Sequence, residues 1–434
     1  MSWLNLYSLA GWVALAGVAW VVGGCRRPVP WRTVAGAAGL ILMLGAIVFW
    51  LPPTRAGLLW INDTVVAVLE AGNAGARFLF GPLALSPGQS TPTGEPSVGF
   101  ILAAQVLPAA IFFAALMAVL YHVRLIQPVV RIFARLFYRT LGLSGAEAIA
   151  GASNIFVGVE SAITIRPYLA GMTRSELLTL MTCGMSTVAS TTLALYVLFL
   201  KDAFPLIAGH LISASVLAIP SAVLVSKLML PETESPATLG QVPPLREEDR
   251  QPNAMAALSA GSWDGLQLAA GIATLLIAVL GLVAIIDLAL VKLTAPIAGA
   301  LGGPLDVARI LGWVFTPLAW LIGVASGEVG EVARLLGGRA MLTEVFAYQR
   351  LGELAAAGEL SPRSVLVLSY ALCGFAHVAS VGIFVGGISA LAPSRRGDLS
   401  ALGPRAFVAA TLATSMNGAL AGVFYYGQQG LLGL

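Results

Sequence analysis

Six apolar runs, each close to the length needed to cross a bilayer, constrain this chain more than any other feature. They are roughly Leu4–Gly24, Val34–Leu51, Phe100–Tyr121, Leu206–Leu228, Leu266–Leu290 and Ala406–Tyr426. About 20 predominantly apolar residues reach across a hydrocarbon core, so each run reads as a spanning helix. Charge is scarce enough to agree: charged residues make up 10% of the chain and hydrophobic ones 58%. A soluble domain carries roughly 25% charged residues, so this chain lacks the polar surface to face water. The net charge of +3 is small and the basic residues do not interleave with aromatics, which argues against a nucleic-acid partner. Cys25, Cys183 and Cys373 give neither a disulfide framework nor metal-ligand spacing.

The loops orient the runs. Arg26, Arg27 and Arg32 crowd the first short loop, which the positive-inside rule places in the cytoplasm. Val22-Gly23-Gly24-Cys25 faintly resembles a lipoprotein cleavage site, but the two arginines that follow point to an uncleaved first helix ending in the cytosol. Pro52–Gly99 carries only Arg55 and Arg77, ends in Ser, Pro and Gly, and reads as a periplasmic stretch. Arg131, Arg135 and Arg139 recur at every fourth position beside Ile132, Phe133, Leu136 and Phe137, the pattern of a helix lying on the inner leaflet. Pro231–Asn253 is a polar, Pro-rich cytoplasmic linker, and Ser394–Arg405 is the last cytoplasmic loop. Both termini then fall outside, provided two further segments enter the membrane and turn back.

Those segments belong to an internal repeat. Cys183-Gly-Met-Ser-Thr-Val-Ala-Ser190 and Cys373-Gly-Phe-Ala-His-Val-Ala-Ser380 match at five of eight positions, in register. Upstream of each lie Arg-Ser (Arg174-Ser175, Arg363-Ser364) and, further upstream, a glutamate in a Gly/Ala-rich stretch, Glu160 or Glu344. Each unit reads as a re-entrant hairpin (roughly Gly145–Tyr168 and Val329–Leu351) followed by a helix broken near its middle. Non-helical backbone at membrane depth must be shielded by protein or face a water-filled cavity. Matched broken helices are the recurring plan of secondary transporters, with the site between the repeats. The expected fold is therefore all-α and polytopic, with about eight transmembrane helices and two re-entrant hairpins in an internal inverted repeat. Residues 1–144 form the N-terminal helices, 145–230 the first repeat, 231–262 the linker and 263–434 the second repeat.

A carboxylate at mid-bilayer costs about 2.5–3.5 kcal/mol on insertion scales. Two of them, one per repeat, are poorly explained as packing, so Glu160 and Glu344 are expected to face a substrate cavity. His377 stays open among three roles: substrate contact, proton-coupling group (imidazole titrates near neutral pH) or structural histidine. His122 and His210, near helix ends, read as structural.

From about Gly145 onward the sequence resembles the concentrative nucleoside transporters. The residues that carry the resemblance are Gly151-Ala-Ser-Asn-Ile-Phe-Val-Gly158, Arg166-Pro-Tyr-Leu169 and Met172-Thr-Arg-Ser-Glu176 in the first half. In the second they are Ala371-Leu-Cys-Gly-Phe375 and Gly386-Gly-Ile-Ser-Ala-Leu-Ala-Pro393 with Arg395-Arg396. The resemblance implies a homotrimer in a bacterial inner membrane, an elevator-type transport domain, and symport of a nucleoside with Na+ or H+ and no other cofactor. It implies substrate contacts from Val159 and Glu160 in the first hairpin, Thr192, Glu344 in the second hairpin, and Phe375, His377 and Ser380 at the second break. It also implies a Na+ shell at Asn154, Val157, Thr187 and Val188, whose amide, hydroxyl and carbonyl oxygens suit a hard cation.

The sequence also departs from the family pattern. Gly-Gln-Thr-Glu is shortened to Gly158-Val159-Glu160, Asn-Glu-Phe becomes Thr343-Glu344-Val345, and His377 stands where asparagine is expected. Leaving a polar base edge unpaired in such a pocket costs about 1–3 kcal/mol per group, so selectivity is expected to differ while the transport machinery is kept. Three rivals remain. An intramembrane enzyme would need a nucleophile–base pair or metal cluster, and no H-E-x-x-H or G-x-S-x-G is present. A channel or gate-type protein could not accumulate its solute. A symporter of the same build for a modified nucleoside, nucleobase or other small polar solute is the nearest alternative.

Overall fold

The computed structural model describes residues 3–50, 52–85, 90, 94–99, 101–156, 158–240, 251–301 and 303–427. Among them the chain is helical almost throughout, and the only β pairing is an isolated bridge between Ser90 and Pro96. It opens with α1 (Trp3–Val22), α2 (Trp31–Trp50) and α3 (Pro52–Phe80). A short α4 (Leu102–Gln105) runs into α5 (Leu107–His122), followed by α6 (Gln127–Leu141). The first hairpin consists of α7 (Gly145–Asn154), a 3-10 segment Val159–Ile165 and α8 (Arg166–Leu169). Two half-helices follow, α9 (Arg174–Ser186) and α10 (Ser190–Leu200), and α11 (Ile207–Met229) closes the unit. Beyond the linker come α12 (Ala254–Thr294), a short α13 (Ala298–Leu301) and α14 (Val307–Leu321). The second unit repeats the plan: hairpin arms α15 (Val329–Met341) and α16 (Glu344–Ala356), half-helices α17 (Pro362–Ala371) and α18 (Val378–Leu391), then α19 (Arg396–Phe424). Among the described residues six helical segments are long and apolar enough to cross a membrane. The broken pairs α9–α10 and α17–α18 fall outside that number because each half is too short.

Two stretches contain helix that their sequence reading does not mention. Pro52–Gly99 reads as a periplasmic stretch, yet its first part folds into the 29-residue α3. Val65, Val68, Gly72 and Ala76 turn inward at helical spacing while Asp63, Thr64 and Glu70 stay exposed, so an amphipathic stripe forms without a long apolar run. Residues 254–262, read as linker, begin α12, because Asn253 Oδ1 accepts the Ala256 amide at 2.8 Å and caps it. Residues 241–250 of that linker lie outside the described residues.

The stretch read as a helix on the inner leaflet is helical and amphipathic. Along α6, Val130, Ala134, Phe137 and Leu141 are buried and Arg131, Arg135 and Arg139 exposed, and Gly142 ends it at φ +64°. The Thr-Arg-Ser-Glu motif proves to be a capping box: Thr173 Oγ1 accepts the Glu176 amide at 3.1 Å and Glu176 Oε2 accepts the Thr173 amide at 2.8 Å. Ser144 and Glu147 cap α7 in the same way. Lys227 at the end of α11 joins these caps, with Nζ 2.7 Å from Glu147 Oε1 and 3.0 Å from Ser175 Oγ. These bonds fix the starts of hairpin and broken helix against one another.

Close packing uses small residues, as in lipid, where apolar burial gives little drive between helices. A Cβ on Gly261 or Gly265 of α12 would lie 2.5–2.8 Å from Ala118 and Ala114 of α5, so these helices touch backbone to backbone. Helix α19, rich in Ala, Gly, Ser and Thr, is buried from Ala409 to Phe424 and packs against α1, α9, α11, α17 and α18. It thereby ties the two repeats together.

Candidate functional site

The two breaks meet. Helix α9 ends at Ser186, α10 starts at Ser190, and α17 ends at Ala371 with α18 resuming at Val378. The Phe375 amide donates to the Thr187 carbonyl at 3.3 Å, linking one break to the other. The repeated glycines allow the approach. A Cβ on Gly374 would sit 2.6 Å from Thr414 Cγ2 and 2.9 Å from the Ser186 carbonyl oxygen, and one on Gly184 would sit 2.2 Å from the Phe384 ring.

Glu344 stands at this junction because of how its hairpin turns. Thr343 caps α16, its Oγ1 accepting the Phe346 amide at 3.3 Å, so Glu344 is the first helical residue and is buried. The positive end of the helix favours a carboxylate there. Across from it His377 caps α18: Nδ1 accepts the Ser380 amide at 3.2 Å. Its other nitrogen, Nε2, lies 3.2 Å from Glu344 Oε2, with both side chains 1% exposed. The N-termini of hairpin arm α16 and half-helix α18 therefore face each other through an acid and an imidazole. The Phe375 ring lies edge-on to His377 at 4.6 Å between centroids. From α10, the fully buried Tyr196 lies within electrostatic reach of Glu344. Its ring stacks on Tyr348 of α16 at 4.1 Å and 9°, and Tyr348 Oη donates to the Ser369 carbonyl at 2.6 Å.

Of the residues expected from sequence, the structure brings together Glu344, Phe375, His377 and Ser380, and it buries Thr192 on α10. The Ser380 hydroxyl is engaged locally, donating to the His377 carbonyl at 2.6 Å. Thr192 Oγ1 donates to the Ala189 carbonyl at 3.0 Å. Thr187 and Val188 form the first break, both buried, and Thr187 Oγ1 donates to the Cys183 carbonyl at 3.0 Å. Asn154 is fully buried at the end of α7, which packs along α9, and its Oδ1 accepts from Ser161 Oγ at 3.0 Å. Val157 lies outside the described residues, as do the side chains of Val159 and Glu160. The 3-10 segment that begins at Val159 packs against α18, the half-helix His377 caps. His210 is structural, Nδ1 lying 2.8 Å from Tyr370 Oη.

Sequence reasoning missed Tyr196, Tyr348 and Arg339. Arg339 of α15 is fully buried and donates through Nη1 to the Ala371 carbonyl at 2.7 Å and Thr414 Oγ1 at 2.8 Å. The rule that singled out the glutamates, that an ionisable group in an apolar segment needs a reason, applies equally to this arginine.

Residues 210–422 match the family model described as Na+ dependent nucleoside transporter C-terminus, residues 10–83 its N-terminus, and residues 103–203 a model described as nucleoside recognition. The chain is 37% identical over 428 residues to the uncharacterized transporter YutK of Bacillus subtilis, covering 96% of this chain and 99% of that one. It is 32% identical over 430 residues to the putative nucleoside permease NupX of Escherichia coli, covering 96% and 98%. Sodium/nucleoside cotransporter 1 of Rattus norvegicus is 36% identical over 92% of this chain and 61% of its own length. Among solved structures, CNTnw in an inward-facing substrate-bound state superposes with a TM-score of 0.86 at 36% identity, over 97% of this chain and 98% of that one.

Proposed function

Because the chain belongs to the concentrative nucleoside transporter family, we propose that it imports nucleosides with a coupling cation, its hairpins and broken helices moving as an elevator-type transport domain. Membership makes it a multi-pass membrane transporter of nucleosides and not an enzyme. The coupling ion is assigned as Na+, held by Asn154, Val157, Thr187 and Val188, and the substrate is assigned to Glu344, Phe375, His377, Ser380, Thr192, Val159 and Glu160. A homotrimer is proposed with it, supported by the apolar face that α12 leaves open at Ile277, Ile285 and Leu288.

The observation that carries this reading is Glu344, a buried acid at the start of hairpin arm α16, beside the point where both breaks meet. Hydroxyls of a ribose are donors that such a carboxylate accepts, at about 1.5–3 kcal/mol for a bond to a charged group. Half-helix ends and freed carbonyls supply the cation and substrate contacts that transporters of this build use.

A second reading is favoured by one observation. His377 Nε2 lies 3.2 Å from Glu344 Oε2 where the family pattern has an asparagine, and neither atom has a hydrogen-bond partner, so an imidazole nitrogen is left for the substrate. A modified nucleoside that places an acceptor against His377 fits that arrangement.

Uptake of labelled uridine and adenosine into proteoliposomes tests both readings, under an inward Na+ gradient, a proton gradient or neither. Accumulation under Na+ alone is expected. Accumulation driven only by protons would reassign the coupling ion. No uptake by folded, reconstituted protein would turn the search to modified nucleosides.

A further inference from the structure

The second break already contains a cation. Among the described residues the buried lysine and arginine side chains are Lys227, Arg339 and Arg363. Lys227 is bound at the far end of α9, by Glu147 and Ser175. Arg363 is held by four hydrogen bonds, to the Gly323 and Leu4 carbonyls, Asn5 and Ser8. Arg339 alone enters the junction of the breaks.

Its place on the hairpin parallels that of Asn154 in the first repeat, while in the register of the repeat its partner Ala371 matches Met181 and not Thr187. Asn154 precedes the hairpin glutamate Glu160 by six residues, and Arg339 precedes Glu344 by five. Each lies on the first arm of its hairpin, and that arm packs on the first half of the repeat's own broken helix, α7 on α9 and α15 on α17. Ala371, whose carbonyl takes Nη1 at 2.7 Å, is the last residue of α17. Such terminal carbonyls have lost their helical donors and carry the negative end of the dipole, the usual partner of a cation. Nε and Nη2 of Arg339 are buried with no hydrogen-bond partner, whereas the donors of Arg363 are engaged. A guanidinium retained only for its hydrogen bonds would resemble Arg363. Arg339 is held where its positive charge acts on the Ala371 carbonyl, with Glu344 and Tyr348 in electrostatic reach.

We propose that Arg339 is a built-in cation, filling in the second repeat the role that the coupling ion plays in the first, and so limiting coupling to one cation per transported molecule. It is a positioning residue, acting through the end of α17 and through Glu344. The inference rests on the Na+ site proposed for the first repeat. It does not rest on the identity of the substrate.

Equilibrium binding of sodium-22 to purified protein in detergent tests it without any substrate. Wild type is expected to bind one sodium per protomer, R339K one and R339Q two. The Hill slope of Na+-driven uridine uptake should rise from about one to about two in R339Q. Should R339Q be unfolded at low salt, sodium should restore it, its thermal midpoint climbing more steeply with sodium concentration than that of wild type. Two sodium ions on wild type, one on folded R339Q, or no rescue by sodium would each overturn the proposal. The expected sodium counts without uridine uptake would leave the built-in cation standing and remove the nucleoside assignment instead.

Discussion

His377 holds its two ring nitrogens in opposite duties: Nδ1 accepts the Ser380 amide at 3.2 Å and Nε2 stands 3.2 Å from Glu344 Oε2. A ring that accepts through Nδ1 carries its proton on Nε2 when neutral, so the donor faces the carboxylate. The helix cap thereby sets the tautomer, and it leaves Nε2 and Glu344 Oε2 close together with no hydrogen bond to either atom. An incoming hydroxyl can therefore donate to Glu344 Oε2 without displacing a bond already made.

Replacing Glu344 with glutamine keeps the shape and removes the charge. Loss of about 1.5–3 kcal/mol of charge-assisted bonding corresponds to a fall in uptake of roughly 10–100-fold. Membrane insertion and the thermal midpoint should stay near wild type. Normal uptake by E344Q in proteoliposomes would remove Glu344 from the site.

His377→Asn separates capping from recognition. Asparagine is a strong N-cap, so α18 should start as before, but the shorter side chain cannot span to Glu344. Uptake of ordinary nucleosides relative to base- or ribose-modified ones is expected to rise by about tenfold, the effect of roughly 1.4 kcal/mol. H377A, which loses the cap, should also be destabilised by about 1 kcal/mol. The substrate profile of H377N reads the contact, and the melting curve of H377A reads the cap. A profile unchanged in both variants would leave His377 a structural residue.

The hairpins and breaks were legible because polar residues interrupt apolar stretches at matched places. Glu344, Thr187 and His377 stand out against Leu, Val and Ala, and a bilayer penalises each unless it has a task. The capping motif at Thr173–Glu176 was legible as a family signature before its physical cause was visible. What remained hidden depends on contacts between distant segments. The Tyr196–Tyr348 stack joins α10 to α16, 152 positions apart in the chain, and nothing in either local sequence marks it. Helix α3 was hidden for another reason: its inward stripe is made of Val, Gly and Ala, too weak to register as a long apolar run. Arg339 lies outside the motifs shared by the repeats, so the repeat pattern does not mark it.

The crossing of the breaks can be tested at Gly374. An added methyl group would meet Thr414 Cγ2 at 2.6 Å and the Ser186 carbonyl oxygen at 2.9 Å, and a backbone oxygen cannot rotate away. G374A should cost about 1–3 kcal/mol, the range for overpacking, read as a lowered unfolding midpoint in detergent together with lost uptake. Gly271 on α12 is the control, since nothing lies within 4 Å of its added Cβ. G271A should be neutral or more stable by about 0.5–1 kcal/mol, as expected for glycine replaced in a helix interior. Equal effects at the two sites would mean that the breaks do not approach as closely as described.

Arg363 and Arg174 hold matching places in the repeat and have unlike surroundings, so their removal should have unlike effects. Arg174 lies 3.3 Å from Asp398 with about half its side chain exposed, and an exposed pair of this kind contributes about 0–1 kcal/mol. Arg363 is buried, with Nε on the Gly323 carbonyl at 3.0 Å, Nη1 on Asn5 Oδ1 at 3.0 Å, and Nη2 on the Leu4 carbonyl and Ser8 Oγ. Asn5 in turn donates to the Val423 and Tyr425 carbonyls at the end of α19. One guanidinium therefore sews α1 to α17, to the turn after α14 and to α19. R363M would leave several buried acceptors without donors, at about 1–3 kcal/mol each, and α1 should come loose from the second repeat. The expected result is a loss of at least about 3 kcal/mol, measured as the unfolding midpoint in detergent, with protease cleavage appearing between α1 and α2. R174M should remain close to wild type in both assays. Similar behaviour of the two variants would show that the Arg363 network is not what fastens the first helix.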